Sequence, residues 1–266
     1  VINALTDIEH PCQALAFGEM MVEKRGALRD LKVAFIGDGN NVANSLAALA
    51  GHCGMHFTLA CPEGYEQPAD FLTKVQGLCE SSGGSYRQVR DPREAVRDSD
   101  VIYTDVWISM GEEAVADQKK KSFASYQVND ALLAAAPSHC LITHCLPAHP
   151  GEEITEAVMA SSRYVAFDEA ENRLHAQKAV LLWLLLLLVK RLLLVLRTRL
   201  LYCHTGSSVI LLLAVLALLS CCCCYSCCCD STRLLCGRGA SPAVVEAAAR
   251  THLNTIDKRP IHRVPE

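Results

Sequence analysis

The chain has 266 residues, enough for one large or two ordinary domains with a sizeable core. Its formal net charge of -4 at pH 7 excludes the basic surface expected of a nucleic-acid-binding protein. The first residue is Val1, and the residues after it lack the pattern of a secretory signal, so we expect the interior of a longer protein that has lost its N-terminal part.

Apolar runs and helical stretches alternate from residue 1 to about residue 187. Strands are predicted at residues 32–36, 56–60, 85–89, 101–104 and 140–143. Helices are predicted between them at residues 42–53, 69–81, 92–97 and 129–135. This alternation predicts an α/β fold, a doubly wound parallel sheet of the Rossmann-like type with right-handed crossovers. Two flanking helices, at residues 12–24 and from 169 to about 187, are expected to connect to a partner domain.

The sequence changes character near Trp183, and residues 188–266 form a low-complexity tail rich in Leu and Cys. Three interpretations compete: a gene-model artefact, a membrane anchor built on the apolar run at residues 209–219, and a metal-binding cysteine cluster. We expect the tail to be disordered or artefactual unless it anchors a membrane, to lie outside the fold, and to have no function.

The chain has 15 cysteines, of which six are scattered through the first 180 residues without C-x-x-C pairing. Such spacing is typical of reduced thiols in an intracellular compartment. The cytoplasm is expected, or a mitochondrion or plastid if the organism is eukaryotic.

The tetrapeptide His144-Cys145-Leu146-Pro147 follows the last predicted strand. Cys145 is therefore expected at the C-terminal edge of the sheet, where ligands bind in open α/β folds. A thiol beside an imidazole at that edge is a candidate for chemistry. The alternative is a buried structural cysteine, because free cysteines are among the most buried residues.

Two other strands also end in polar residues. The loop Gly37-Asp38-Gly39-Asn40-Asn41 stands before a helix, where backbone amides favour an anion. It lacks the third glycine of a dinucleotide loop, and its two Asn suit a zwitterion, with a tight turn as the alternative. Asp105, followed by Ser109 and Met110, is placed either to bind an amino group or to cap the next turn.

The two flanking helices carry further candidates. His10 opens the first helix and can stabilise a developing oxyanion, with Gln13 one turn along the same face; a capping turn is the alternative. Arg173 lies in the first turn of the last helix, where it opposes the helix dipole. An anionic ligand would explain it, and so would an i,i+4 pair with Glu169 on a solvated face.

A zinc site drawn from His139, Cys140, His144, Cys145 and His149 is also conceivable. Strand alternation is expected to point Cys140 and His144 to one face and Cys145 to the other, so that no three ligands converge. We therefore predict no metal.

Taken in order, these motifs resemble those of the ornithine carbamoyltransferases. The resemblance runs from Val1 to about Leu187 and includes His-Pro-Cys-Gln, Gly-Asp-Gly-Asn-Asn, Asp-Val-Trp-Ile-Ser-Met-Gly, His-Cys-Leu-Pro and Ala-Glu-Asn-Arg. It implies an ornithine-binding domain at residues 1–187 and transfer of the carbamoyl group of carbamoyl phosphate to the δ-amine of ornithine. The products would be citrulline and phosphate, a step of arginine biosynthesis.

The resemblance also implies roles for individual residues. Asn41, Asp105, Ser109 and Met110 would hold ornithine, and Cys145 would accept a proton from the attacking amine. The residues expected to bind carbamoyl phosphate are His10, Gln13, Cys145, Leu146 and Arg173, with His10 and Arg173 stabilising negative charge. No metal or organic cofactor is implied, and the intact parent is expected to be a homotrimer.

The family's phosphate-binding loop, of Ser-Thr-Arg-Thr type, has no counterpart in these residues. We therefore expect the chain by itself to be inactive or very weak. Two alternatives stay open: an NAD(P)-dependent oxidoreductase on the same sheet, with Glu63 as the ribose ligand, and a non-catalytic ornithine-binding fragment.

Overall fold

The computed structural model describes residues 3–108 and 113–202, with the backbone alone for residue 113 and residues 196–202. Ser109, Met110 and the tail beyond Tyr202 lie outside the described residues, and so do the expectations attached to them. The described residues form two compact units, divided between Arg173 and Leu174.

The first unit is built on five parallel strands. They are β1 (Lys32–Ile36), β2 (His56–Ala60), β3 (Ser85–Val89), β4 (Val101–Thr104) and β5 (Leu141–His144). Their order in the sheet is β3-β2-β1-β4-β5, and every neighbouring pair is parallel. The predicted doubly wound parallel sheet is confirmed. Because strand addition reverses between β1 and β4, a crevice for ligands is expected beyond their C-terminal ends.

Eight α-helices accompany the strands in the described part of the chain. They are α1 (Pro11–Arg25), α2 (Asn41–Cys53), α3 (Ala69–Ser82), α4 (Pro92–Val96), α5 (Ala116–Phe123), α6 (Asp130–Leu133), α7 (Glu156–Met159) and α8 (Ala166–Tyr202). The short helices α5 and α7 were not predicted.

The last helix differs most from its prediction, because α8 begins at Ala166 and continues to Tyr202. Its sequence contains neither Gly nor Pro, and Leu, Lys and Arg are strong helix formers, so nothing in its composition ends it near residue 187. None of the helices in the described ranges combines the length and the apolar content that a membrane crossing needs.

The core around β4 positions a functional side chain. The Tyr103 ring is fully buried, stacks on Phe35 at 5.6 Å and meets Phe17 of α1 edge-on at 5.5 Å. Burial of this aromatic cluster contributes to holding α1 against the sheet. It also fixes where the Tyr103 hydroxyl points.

Candidate active site

The loops after β1, β4 and β5 converge at the C-terminal edge of the sheet. The first of them begins α2, whose N-cap is Asn40: its Oδ1 accepts from the backbone N–H groups of Val42 and Ala43. The Asn40 Nδ2 donates to Asp105 Oδ2 at 2.7 Å. One side chain thus caps a helix and connects the loops after β1 and β4.

Cys145 and Asp105 form the centre of this edge. The Cys145 Sγ lies 2.7 Å from Asp105 Oδ1, with the thiol as donor and the carboxylate as acceptor. Burial and the neighbouring Asp105 carboxylate raise the pKa of Cys145 well above its usual range. The thiol is therefore held protonated, as a donor to the Asp105 carboxylate.

His144 lies behind Cys145 and is fully buried together with Glu153. Its Nδ1 accepts from the backbone N–H of Leu146 at 2.8 Å, which leaves the proton on Nε2 to be donated to Glu153 Oε1 at 3.1 Å. Burial acts to raise the pKa of Glu153, but hydrogen bonds from His144 and from the His149 N–H outweigh it and lower that pKa. The carboxylate thus holds the imidazole in one tautomer and one orientation.

The expectation that His144 and Cys145 point to opposite faces is wrong. Strand β5 ends at His144, so Cys145 lies just outside the strand and strand alternation does not fix its direction. Leu146, with a left-handed φ of 58°, donates its N–H to His144 Nδ1. Cys145 Sγ and His144 Nδ1 are only 3.8 Å apart.

The first-turn Asn of α2 has another environment. Asn41 Nδ2 donates to the backbone carbonyl of Thr6 at 2.8 Å, on the exposed side of the loop. Of the four predicted ornithine ligands, the structure describes only Asn41 and Asp105. Asp105 directly follows β4, and Asn41 is the first residue of α2, which follows β1.

A second polar network, behind the edge, is centred on Glu169. This carboxylate is fully buried and accepts from Gln13 Nε2 at 2.6 Å, Tyr103 Oη at 2.7 Å and Thr143 Oγ1 at 2.6 Å. Burial raises the pKa of Glu169 to about 7, and the three accepted hydrogen bonds oppose that rise. The alternative explanation of Arg173, an i,i+4 pair with Glu169 on a solvated face, does not hold, because Glu169 is fully buried and bonded to other residues.

Arg173 instead donates from Nη1 to Gln13 Oε1 at 2.5 Å. Its Nε is buried without a partner among the described residues, and the same holds for Nδ1 of His10. Burial and the nearby positive charge of Arg173 lower the pKa of His10, which favours the neutral imidazole. Buried polar atoms without partners are costly, so both nitrogens are candidates to bind a ligand.

Metal-ligating side chains come together in two places within the described residues. Asp105, His144 and Cys145 have ligand atoms within 4.8 Å of one another, and so have His149, Glu152 and Glu153. In the first group, the lone pair of His144 Nδ1 is already used by the Leu146 N–H, so an ion would have to displace that hydrogen bond. Two of the other zinc candidates lie elsewhere, with His139 beside Asp100 and Cys140 beside Ser99.

The loop at residues 37–41 leaves no room for a pyrophosphate beside Gly39. A Cβ on Gly39 would come within 2.7 to 2.8 Å of the backbone at Tyr65, Glu66 and Gln67. In a dinucleotide fold the second glycine clears room for the cofactor, whereas here the chain's own backbone fills that room. The geometry therefore gives the NAD(P) alternative no support.

Comparison with known proteins agrees with this architecture. Residues 29–184 match the family model for the Asp/Orn binding domain of aspartate/ornithine carbamoyltransferase. The ornithine carbamoyltransferases of Thermococcus kodakarensis and Methanopyrus kandleri are 49% and 50% identical over 181 residues, which is 68% of this chain and 58% of each relative. The structure of the Pyrococcus furiosus ornithine carbamoyltransferase is similar, with a TM-score of 0.65 and 48% identity over 67% of this chain and 57% of that one.

The chain belongs to the aspartate/ornithine carbamoyltransferase family. The resemblance seen in the sequence is thereby confirmed. The chain spans about 58% of the length of the curated relatives that it matches.

Several residues of the two hydrogen-bond networks escaped sequence reasoning, namely Tyr103, Thr143 and Glu153, and Glu169 was considered only as a solvated partner of Arg173. Strand periodicity offered one usable signal, since Tyr103 lies two residues before Asp105 and Thr143 two before Cys145. No comparable signal existed for Glu153 and Glu169, because a carboxylate is normally read as a solvated side chain.

Proposed function

We propose that this chain is the ornithine-binding part of an ornithine carbamoyltransferase, which transfers the carbamoyl group of carbamoyl phosphate to the δ-amine of ornithine. The observation that carries the proposal is the arrangement at the sheet edge. Asp105, which accepts from Cys145, lies near His10, whose imidazole senses the charges of both Asp105 and Arg173. Nδ1 of His10 and Nε of Arg173 are buried without partners among the described residues.

The chemistry needs both features. The amine attacks the carbonyl carbon, negative charge collects on the carbonyl oxygen, and the carbon–oxygen bond to phosphate then breaks. His10 and Arg173 donate to that oxygen, which is the largest single contribution in many acyl-type transfers. The amine proton passes to the Cys145 sulfur while the thiol proton passes to the Asp105 carboxylate, so Asp105 is the final acceptor.

The remaining assignments follow from the resemblance. Asn41, Asp105, Ser109 and Met110 bind ornithine, and Gln13, Cys145 and Leu146 join His10 and Arg173 at the carbamoyl group. We further propose that residues 1–187 form the ornithine-binding domain, that the tail at residues 188–266 lies outside the fold, and that the phosphate of carbamoyl phosphate is bound by a part of the enzyme not present in these 266 residues.

Oligomer and compartment are part of the same proposal. The intact parent is a homotrimer, which light scattering of the purified parent would measure. The compartment is a reducing one, the cytoplasm or the interior of a mitochondrion or plastid, because all six cysteines in the described residues are free thiols.

The test is citrulline formation. The chain would be assayed alone and after fusion to the N-terminal part of the Thermococcus kodakarensis relative that it does not cover. We expect citrulline from the fusion and little or none from the chain alone. In the fusion, Asp105→Asn should lower kcat by at least about 100-fold because the proton acceptor is lost.

The matched control is Asp70→Asn, at an exposed carboxylate in the first turn of α3, which should leave the rate unchanged. A fusion that folds and binds carbamoyl phosphate but forms no citrulline would contradict the proposal. Ornithine binding without turnover would then favour a non-catalytic fragment, and binding of NAD(P) would favour an oxidoreductase.

A further inference from the structure

The side-chain amide of Gln13 bridges two groups with opposite hydrogen-bonding capacity. On one side lies the Glu169 carboxylate, which as an ion can only accept; on the other lies the Arg173 guanidinium, which can only donate. Only one orientation of the amide satisfies both, with Nε2 toward Glu169 and Oε1 toward Arg173. Gln13 is itself buried, so neither end of its amide has water as a substitute partner.

Three accepted hydrogen bonds fix the position of the Glu169 carboxylate. Its Oε1 accepts from Gln13 and from Tyr103, and its Oε2 accepts from Thr143. Tyr103 and Thr143 are register partners on the adjacent strands β4 and β5, so two rigid elements hold the carboxylate. Arg173, in contrast, has a buried Nε without a partner among the described residues and is the member of the network with donors to offer a ligand.

We propose that Glu169 is a positioning residue, which keeps the Gln13 carbonyl oxygen, and not its NH2 group, turned toward the site. When Arg173 turns to a ligand oxygen, Glu169 alone still defines the amide orientation. The Gln13 Oε1 is then an acceptor facing the ligand. This step rests on the proposed function, because it assigns that acceptor to the NH2 group of a carbamoyl donor.

The consequence is a basis for donor specificity. A carbamoyl group presents an N–H donor to Gln13 Oε1, whereas an acetyl group of the same shape presents a methyl group. A buried acceptor left without its donor disfavours such an analogue strongly. Glu169 therefore acts on specificity without contacting the substrate.

The first test observes Gln13 directly in the full chain. At pH 8, where the Glu169 carboxylate is ionised, the side-chain NH2 of Gln13 is followed by ¹⁵N–¹H NMR and identified by its loss in Gln13→Met. We expect one amide proton far downfield and slow to exchange in the wild type and in the exposed control Glu171→Gln. In Glu169→Met that proton should move to an ordinary shift. An ordinary, fast-exchanging Gln13 amide in the wild type would overturn the inference.

The second test is a double-mutant cycle on citrulline formation by the fusion enzyme. Gln13→Met and Glu169→Met should each lower kcat/KM by about 100-fold, the cost of a misplaced contact, and the double variant should be no slower than either one. Glu169→Gln keeps an acceptor oxygen for Gln13 and should recover most of the activity. Additive losses in the double variant would show a merely structural role and overturn the inference.

The two tests separate this inference from the proposed function. If the wild-type fusion forms no citrulline, the proposed function fails, while the NMR result still decides whether Glu169 orients Gln13. If Glu169→Met does not fold, the wild-type spectrum and the Gln13→Met and Glu169→Gln variants can still contradict the inference that Glu169 orients Gln13.

Discussion

At the scale of single residues, the hydrogen-bonding direction of Cys145 is the most informative finding. The thiol donates to Asp105, and its raised pKa disfavours the thiolate, which agrees with the proposed proton-transfer role and not with a nucleophilic one. A hydroxyl is able to take over that donor role, whereas a methyl group is not.

This difference gives a direct prediction. Cys145→Ala should lower kcat of the fusion enzyme by about 100-fold, the usual contribution of a positioned proton-transfer group. Cys145→Ser should lose clearly less, because its Oγ still donates to Asp105. Steady-state citrulline assays provide the measurement, with Cys53→Ala, at the end of α2, as the control. Equal losses for the Ala and Ser variants would contradict a donor role.

The raised pKa of Glu169 gives a second prediction at this scale, which concerns how the free energy of unfolding depends on pH. Its pKa is about 7 in the folded chain against an ordinary value of 4.5, so between these values the folded chain binds more protons than the unfolded chain. Stability from this group is complete below pH 4.5 and is lost as the pH rises through 7. At 1.36 kcal/mol per pKa unit, the loss is about 3 kcal/mol.

The measurement is urea unfolding of the full chain between pH 4.5 and 8. The Glu169→Gln variant should lack this decline in the free energy of unfolding, while Glu171→Gln, at an exposed position two residues along α8, should keep it. Parallel pH profiles for the wild type and Glu169→Gln would show that the Glu169 carboxyl does not titrate in this range.

At the scale of elements, the start of α2 is fixed from two directions. Asn40 caps the helix, and the backbone of residues 65–67 covers Gly39, whose N–H donates to the Tyr65 carbonyl at 2.9 Å. The loop between β2 and α3 thus packs directly on the loop that faces the site. The two loops can keep these positions only while residue 39 has no side chain.

Two glycine substitutions test this packing. Gly39→Ala should destabilise the fold by several kcal/mol, on the order of other severe overpacking changes, because the new Cβ meets backbone atoms that cannot move cheaply. Gly77→Ala, at an exposed position of α3 with nothing within 4 Å of the added Cβ, should stabilise the fold by about 0.5–1 kcal/mol. Thermal unfolding measures both. A tolerated Gly39→Ala would show that the covering loop is easily displaced.

At the scale of the whole molecule, the described chain divides into a sheet unit that carries every described site residue and a helical unit that carries none. In the helical unit the exposed apolar residues include Leu181, Leu185, Leu188, Leu192 and Val195. Exposed apolar surface of this kind promotes association.

Truncation tests the division. A chain ending at residue 187 should keep the far-UV circular dichroism and the unfolding midpoint of the sheet unit while precipitating less, because five exposed apolar residues between Leu188 and Val195 are removed. A chain ending at residue 160 lacks the first turns of α8, including Glu169, and should unfold. If removal of residues 188–266 alone abolished the fold, the tail would be part of it.

Local sequence patterns were sufficient for the strands and for the edge at which they end. Residues 33–36 are apolar because both faces of this parallel strand are buried, and that pattern is visible without a structure. The same logic placed Asp105 and Cys145 at one edge. Motif order then identified the family.

Only the tertiary structure decided which of these side chains act together. Whether Glu169 is solvated or buried, whether Asn40 or Asn41 reaches Asp105, and whether Cys145 meets Asp105 all depend on contacts between residues distant in the chain. Burial and hydrogen-bond direction are properties of those contacts. The sequence by itself therefore determined the sheet, the edge at which Asp105 and Cys145 meet, and the family, whereas packing decided which carboxylate accepts from the Cys145 thiol and which one accepts from the Gln13 amide.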